Sequence, residues 1–116
     1  MYGGPIELWN TSGVTDMSLA FLAAEGFTAD LAQWDVSSVT KMIDIFSRSK
    51  EFGADVSNWN TSQVTTLKRA FAETENYASD LSTWDTSRVS DMNSICSQSV
   101  NFAADVSTWN TSRISN

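Results

Sequence analysis

The sequence has no histidine, one cysteine and one proline among its 116 residues. The lack of histidine excludes histidine acid–base catalysis, and a single cysteine cannot form an internal disulfide. Basic residues are also scarce, with 7 Lys and Arg against 14 Asp and Glu, so the formal net charge is −7. Because such a chain repels phosphate groups, we expect neither nucleic acid nor an anionic membrane surface as its partner.

Long apolar runs are missing as well. No stretch approaches the roughly 18 apolar residues of a membrane-spanning helix, and Met1 to Pro5 lack the basic and apolar regions of a signal peptide. We therefore expect no membrane span. With 41% hydrophobic residues, however, the composition is that of a folding chain rather than a disordered one.

What the sequence does have is an internal period. Its five tryptophans all lie 25 residues apart: Trp9, Trp34, Trp59, Trp84 and Trp109. Positions related by this spacing are referred to below as a column. Apolar columns with the same spacing begin at Val14, Met17 and Phe21. Such periodicity predicts repeats that stack and bury their columns, so we expect one domain over 1–116 with a buried tryptophan column. Its repeats begin at the tryptophans, and the copy from Trp109 is partial.

Within one copy, the residue pattern changes from strand-like to helix-like. Residues 31–34 and 39–42 are predicted to be short extended pieces, since Val and Thr favour strands, with a turn at 35–38 between them. Met42, Ile45 and Phe46 then follow the i, i+3, i+4 spacing of one or two helical turns. Each copy is thus expected to hold both kinds of element.

The run from Asp30 to Met42, followed by Ile45 and Phe46, resembles the repeat of Mycoplasma-type lipoproteins and is similar to BspA-like leucine-rich repeats. The resemblance extends over nearly the whole chain from Ile6. It implies an α/β repeat fold: a right-handed leucine-rich-repeat-like solenoid with short parallel strands and one short helix per 25-residue coil. It also implies an extracellular or cell-surface location and no defined catalytic activity.

Candidate reactive groups follow the repeat rather than standing apart from it. Cys96 occupies the column of Phe21, Phe46 and Phe71, so we expect a buried, unreactive thiol. The column Asp30, Asp55, Asp80 and Asp105 is expected to accept local backbone hydrogen bonds at turns rather than to bind Ca²⁺. We therefore predict no enzyme activity, no metal site and no cofactor.

The position after each tryptophan alternates between asparagine and aspartate. Its members are Asn10, Asp35, Asn60, Asp85 and Asn110. Alternation places a neutral amide between like charges, which would repel each other in adjacent copies. Together with Arg88 and Arg113, this column is the predicted binding surface.

Function is predicted from this architecture. The leading hypothesis is a non-catalytic interaction or adhesion module that binds another protein or a surface glycan. One alternative is a structural subunit that docks onto a larger complex through open solenoid ends, with possible end-to-end self-association. Another is ice or surface binding through the hydroxyl columns of Thr11 and Thr15.

Overall fold

Equivalent positions of successive copies lie next to each other in the structure. The computed structural model describes residues 11–24, 31, 34–52, 55–77, 80–100, 106, 109, 111–112 and 114. Four parallel pieces, referred to as segments 1 to 4, cover residues 16–24, 41–52, 66–77 and 91–100. Isolated parallel bridges join Asp16 to Lys41, Lys41 to Thr66 and Thr66 to Asp91. Two more join Lys50 to Glu75 and Glu75 to Val100, so the segments share one register.

A ladder of backbone hydrogen bonds runs between neighbouring segments. In segment 1, the N–H groups of Met17, Leu19, Phe21 and Ala23 donate to the carbonyls of Lys41, Ile43, Ile45 and Ser47 at 2.8–3.0 Å. The same four-bond pattern links segment 2 to segment 3 and segment 3 to segment 4. In these twelve bonds the donor always belongs to the earlier segment, whereas near the segment ends the Glu75 N–H donates back to Ser49 and the Val100 N–H to Thr74. The alternate N–H groups close turns within their own segment, as Ala20 does onto Met17.

The predicted leucine-rich-repeat-like α/β solenoid is wrong. The part of the chain that the structure describes contains no helix, and its β-structure is limited to isolated bridges. Its radius of gyration of 13.3 Å is that of a compact globule of this length, for which about 13 Å is expected. Leucine-rich repeat and solenoid are therefore incorrect descriptions of this fold.

Turns replace the predicted helix, whereas the predicted extended piece 39–42 contains no turn and Lys41 forms parallel bridges with Asp16 and Thr66. Residues 42–46 are a chain of tight turns in which Asp44 has a φ of 57°, a left-handed value that no α-helix contains. The Trp34 N–H donates to the Leu31 carbonyl at 3.1 Å, a bond between residues three apart that an extended strand does not make. The predicted turn after Trp34 is confirmed, since the Val39 N–H donates to the Val36 carbonyl at 2.9 Å.

Left-handed residues recur one repeat apart. One column with positive φ holds Leu19, Asp44, Arg69 and Ser94, and a second holds Ala23, Arg48, Glu73 and Gln98. A positive φ at the third position of a four-residue turn defines a type II turn, which glycine favours. Side chains with a Cβ are strained in this conformation by about 1–2 kcal/mol. Each segment thus carries at least two strained positions, and segments 2 and 3 carry a third at Glu51 and Asn76.

Replacing Ala23 with glycine is expected to stabilise the fold by up to about 1 kcal/mol, because relief of left-handed strain exceeds the added entropy of the unfolded chain. Ala23 is exposed, so the change removes no buried contact. Ala20→Gly is the control, since Ala20 is also exposed but is not among the positive-φ residues. In denaturant unfolding, the free energy of unfolding of Ala23→Gly should be higher than that of the wild type, and that of Ala20→Gly should be lower. Equal losses of stability in both variants would contradict the inference that Ala23 is strained.

The core consists of stacked aromatic and aliphatic columns. Phe46 is fully buried and its ring lies 5.7 Å from that of Phe21 and 5.5 Å from that of Phe71. Trp59 stacks between Trp34 and Trp84 at ring distances of 6.3 and 6.1 Å. The prediction of a buried tryptophan column is confirmed for Trp34, Trp59 and Trp84, which are 8%, 3% and 4% exposed. Trp9 lies outside the described residues.

Polar atoms in the core are used to join one copy to the next. The Trp59 and Trp84 indole N–H groups donate to the carbonyls of Leu31 and Val56 at 3.1 and 3.0 Å. The buried Ser49 hydroxyl donates to the Phe21 carbonyl at 3.1 Å. These bonds explain why tryptophan and small hydroxyl residues recur in the sequence, because each crosses between adjacent copies.

Cys96 departs from its predicted place in the core. The thiol is exposed, although Phe21, Phe46 and Phe71 of the same column are buried. Phe46 is covered from both sides by the rings of its neighbours, whereas no described residue of a further copy covers Cys96. Nearby protein atoms still desolvate the thiol enough to raise its pKa, which keeps it protonated at neutral pH.

Candidate functional site

The predicted binding column lies on the surface in turns that fix its side chains. The Asp35 carboxylate oxygen Oδ1 accepts hydrogen bonds from the Ser37 N–H at 2.9 Å and from the Ser37 hydroxyl at 2.5 Å. Asp85 accepts from the Ser87 N–H at 2.9 Å in the same way. Such Asx turns hold the side chain against its own backbone. The second oxygen of each carboxylate accepts no bond from the described residues.

Threonine residues of the preceding copy anchor the backbone of this column. The Thr11 hydroxyl accepts from the Asp35 N–H at 3.0 Å and donates to the Asp35 carbonyl at 3.1 Å. Thr61 binds Asp85 in the same two-bond arrangement, at 2.9 and 3.2 Å. Both aspartates are therefore fixed by the turn that follows them and by the copy before them.

The neutral member of the column lies between these carboxylates in sequence order. Asn60 is exposed and its side-chain oxygen accepts from the Ser62 N–H at 3.1 Å, which repeats the turn made by the aspartates. Arg88 is exposed beside the column and donates to the Gln63 side-chain oxygen at 3.3 Å. Asn10, Asn110 and Arg113 of the predicted surface lie outside the described residues. Below, the Asx surface means Asp35, Asn60, Asp85 and Arg88.

The second aspartate column behaves as predicted. Asp55 and Asp80 accept from the N–H and hydroxyl groups of Ser57 and Ser82 at 2.6–2.9 Å. Local hydrogen bonding at these two positions is therefore confirmed. Asp30 and Asp105 of this column lie outside the described residues.

Hydrogen bonds at the turns shift the acidity of the carboxyl groups. Bonds from Ser37, first from its hydroxyl and then from its backbone, lower the pKa of Asp35 below 3.8. Ser87 does the same to the pKa of Asp85, with a further contribution from Arg88. The pKa values of Asp16 and Asp55 are lowered in the same manner by Ser18 and Ser57. All of these carboxylates are ionised at neutral pH.

These lowered pKa values predict a loss of stability in acid. Because the folded-state pKa lies below the unfolded value, each turn stabilises the protein fully above pH 3.8 and less as the pH falls through the folded-state pKa. The denaturant midpoint should therefore fall as the pH is lowered stepwise from neutral to below 3.8. Ser37→Ala removes the largest cause of the Asp35 shift and should reduce this dependence. If the pH dependence of stability is the same in Ser37→Ala, the Ser37 hydroxyl does not lower the pKa of Asp35.

The sequence reasoning missed an ion-pair cluster that crosses segments 2 and 3. The Arg69 guanidinium lies 3.0 Å from an Asp44 carboxylate oxygen and 3.7 Å from a Glu73 carboxylate oxygen. Arg48 lies 3.9 Å from Glu73 on the other side. All four positions belong to the left-handed columns.

Comparison with known proteins gives one family. Residues 2–109 match the family described as "Mycoplasma protein of unknown function, DUF285". The chain belongs to this family. No curated protein and no solved structure matches it. The match supports the Mycoplasma-type part of the resemblance found in the sequence, but it supports neither a BspA-like leucine-rich repeat nor the lipoprotein repeat.

The DUF285 family has no characterised function, so the site must be interpreted from its own geometry. Within the described residues, no helix is long and apolar enough to cross a membrane. No group of three or more potential ligand side chains suited to a metal ion occurs in that same part of the chain.

The structure does not favour the Thr11 column as an ice-binding surface. Thr11, Thr61 and Thr86 are buried, with exposures of 7%, 2% and 2%. The hydroxyls of Thr11 and Thr61 bind the protein backbone, as described above. In the column of Thr15, the hydroxyls of Thr40 and Thr65 donate to carbonyls of the preceding copy at 3.3 and 3.2 Å. The buried threonines of the Thr11 column therefore do not present their hydroxyls to water, and the hydroxyls of Thr40 and Thr65 are used in bonds between copies although Thr65 is exposed.

Proposed function

We propose that this DUF285 protein is a non-catalytic binding module that engages a protein or a surface glycan through the Asx surface. The observation that carries the proposal is the fixed orientation of Asp35 and Asp85, each held by an Asx turn and by a threonine of the preceding copy. A side chain that is already ordered loses little entropy on binding.

The chemistry of the Asx surface favours a partner rich in hydrogen-bond donors. Each carboxylate retains an oxygen that accepts no bond from the described residues, and the pKa shifts keep both groups charged. With a net charge of −7, the chain attracts basic protein segments over a distance set by ionic strength. A partner that offers lysine or arginine side chains, or the hydroxyls of a glycan, fits this surface.

The proposal has two further parts: the protein has no enzyme activity, and it lies at the cell surface. Support for the first comes from the sequence, in which acidic residues recur with the repeat and no histidine is available. Support for the second comes from the resemblance to surface proteins. Labelling of intact cells with a membrane-impermeant amine reagent tests the location, and protection of the protein until cells are lysed would contradict it.

The binding surface can be tested with matched charge variants. Asp35→Asn/Asp85→Asn alters the Asx surface, whereas Asp55→Asn/Asp80→Asn makes the same charge change in equivalent Asx turns of the other column. With an immobilised lysine-rich peptide as probe, the first pair should weaken binding by about tenfold and the second only slightly, because charge-assisted hydrogen bonds are lost only at the surface itself.

Two results would contradict the proposed surface. Equal weakening by both pairs would mean that the peptide responds to net charge alone. Unchanged binding in the first pair would place the contact elsewhere. Binding to a set of neutral glycans, measured with the same variants, separates a glycan-binding surface from one that binds basic protein segments.

A further inference from the structure

Two hydrogen bonds that join neighbouring copies are absent at one place in the described part of the chain. Copies 1 to 4 are here the repeats that begin at Trp9, Trp34, Trp59 and Trp84, and each contains the segment of the same number. A threonine hydroxyl joins copy 1 to copy 2 at Asp35 and copy 3 to copy 4 at Asp85. Between copies 2 and 3, Val36 occupies the threonine position, and no described residue bonds to the Asn60 N–H or carbonyl.

Val36 leaves these bonds unmade because of its chemistry and not because of its shape. Valine has the outline of threonine with a methyl group in place of the hydroxyl, so it can neither accept from the Asn60 N–H nor donate to its carbonyl. Val36 is 1% exposed and Thr61 is 2% exposed, so the two side chains are buried alike. The indole bonds of Trp59 and Trp84, at 3.1 and 3.0 Å, are also alike. The difference between the copies is therefore confined to the threonine hydroxyl.

Copies 2 and 3 are joined more firmly along their segments. Two ion pairs cross from segment 2 to segment 3: Asp44 lies 3.0 Å from Arg69, and Arg48 lies 3.9 Å from Glu73. Among the described residues, no ion pair crosses from segment 1 to segment 2 or from segment 3 to segment 4. The contact at 3.0 Å is a charge-assisted hydrogen bond, a kind about twice as strong as a neutral one. The contact between copies 2 and 3 is therefore reinforced at the segments and weakened at the Asx surface.

We propose that the contact between copies 2 and 3 is a hinge, which opens at the Asx surface and stays closed along segments 2 and 3. Copies 1 and 2 move as one body and copies 3 and 4 as the other, because a threonine bridge holds each pair together on the side that opens. The motion breaks few contacts, since the ladder bonds and the ion pairs between segments 2 and 3 remain in place.

Opening of the hinge changes the geometry of the Asx surface. Asp35 lies in copy 2 and Asp85 in copy 4, so the two carboxylates are on different sides of the hinge, and Asn60 lies at the hinge itself. A partner that binds both carboxylates selects one separation from those that the hinge permits. This consequence rests on the proposed binding function, whereas the hinge itself does not.

Hydrogen exchange of single backbone amides, followed by NMR on the whole chain, detects the hinge without a ligand. The Thr65 N–H donates to the Thr40 carbonyl at 2.8 Å just after the Asx turn of Asn60, and the Phe46 N–H donates to the Ala70 carbonyl at 2.9 Å between segments 2 and 3. Both bonds join copies 2 and 3. Exchange at Thr65 should depend less on urea than exchange at Phe46, because opening of the hinge exposes less surface than unfolding. Equal urea dependence at the two amides would overturn the hinge.

Val36→Thr supplies the missing hydroxyl in a side chain of the same shape, and threonine already occupies this position in the copies on either side. The variant should slow exchange of both the Asn60 and the Thr65 amides by about tenfold, because opening the hinge then also breaks the new bridge. Slower exchange at Asn60 alone would mean that only a local bond has been added, and it would overturn the hinge.

Thr61→Val is the matched reverse change, at the bridge between copies 3 and 4. It should speed exchange of the Asp85 amide and of the Ser90 amide, which donates to the Thr65 carbonyl at 3.0 Å, by about tenfold. Unchanged exchange at Ser90 would overturn the inference that the threonine bridge keeps two copies closed. Thermal unfolding verifies that both variants are folded. Neither variant alters a side chain of the Asx surface, so the hinge can fail while peptide binding persists, and a failure of peptide binding leaves the exchange results standing.

Discussion

Phe46→Ala is expected to lower the free energy of unfolding by about 3–5 kcal/mol, as is usual for truncating a fully buried phenylalanine. The ring is completely buried and lies within 4.8–5.7 Å of the rings of Phe21, Phe52, Phe71 and Tyr77. Because aromatic neighbours surround it on both sides, the surrounding segments cannot collapse into the cavity without breaking their ladder bonds.

Phe21→Ala provides the comparison for Phe46. Phe21 belongs to the same column but is 5% exposed, in the first segment, so its truncation should cost less. Urea unfolding at constant pH measures both variants, and an unchanged denaturant dependence would show that only stability has changed. An equal loss of unfolding free energy in Phe46→Ala and Phe21→Ala would contradict the inference that packing by neighbouring copies on both sides determines the loss.

Trp59→Ala is expected to have an effect of similar size, about 3–5 kcal/mol, because it interrupts the tryptophan stack in its interior. The indole packs between Trp34 and Trp84, and its N–H group binds the Leu31 carbonyl at 3.1 Å. Loss of both packing and the hydrogen bond loosens three successive copies at once. Thermal or urea unfolding measures the change.

Trp59→Phe separates these two contributions. It retains an aromatic ring but leaves the buried Leu31 carbonyl without its donor, so its cost should be about 1–3 kcal/mol, below that of Trp59→Ala. Trp109→Ala serves as the positional control, since Trp109 is only partly buried and stacks on Trp84 at 6.3 Å. A loss at Trp109 as large as that at Trp59 would contradict a stack that is tightest in its interior.

The period of the sequence predicted which residues form the core but not the local conformation. Burial of Trp34, Val39 and Phe46 follows from their columns, because the interior must be apolar whatever the backbone does. The spacing of Met42, Ile45 and Phe46 also fits a helix, yet turns with alternating left-handed residues place the same side chains inwards. The pattern of apolar and polar residues cannot distinguish a helix from a chain of turns when the run is this short.

The left-handed positions carried no recognisable signal. Glycine and asparagine usually mark positive φ, but Leu19, Arg48 and Glu73 occupy it here. Their conformation is fixed by bonds to the neighbouring segment, which no local pattern reveals. The Cys96 prediction was wrong for a related reason, because its column identifies a core position only where another copy covers it.

The Asx surface was partly predictable. Asparagine or aspartate followed by serine two residues later predicts an Asx turn, and Asp35 and Asn60 form one. The sequence could not show that Thr11 and Thr61 reach across to the backbone of Asp35 and Asp85. Contacts between copies depend on the register of stacking, which the period restricts but does not determine.

Most backbone hydrogen bonds between neighbouring segments share one direction, which gives the molecule an electrical axis. Each peptide unit carries a dipole of about 3.5 D, and in helices aligned units leave partial charges at the two termini. Here the alignment runs across the segments, with N–H groups facing segment 4 and carbonyls facing segment 1. Segment 4 should therefore lie at the more electropositive pole of an otherwise acidic protein. In an applied field, or beside a charged surface, the protein should orient along its stacking direction, as electric birefringence can measure.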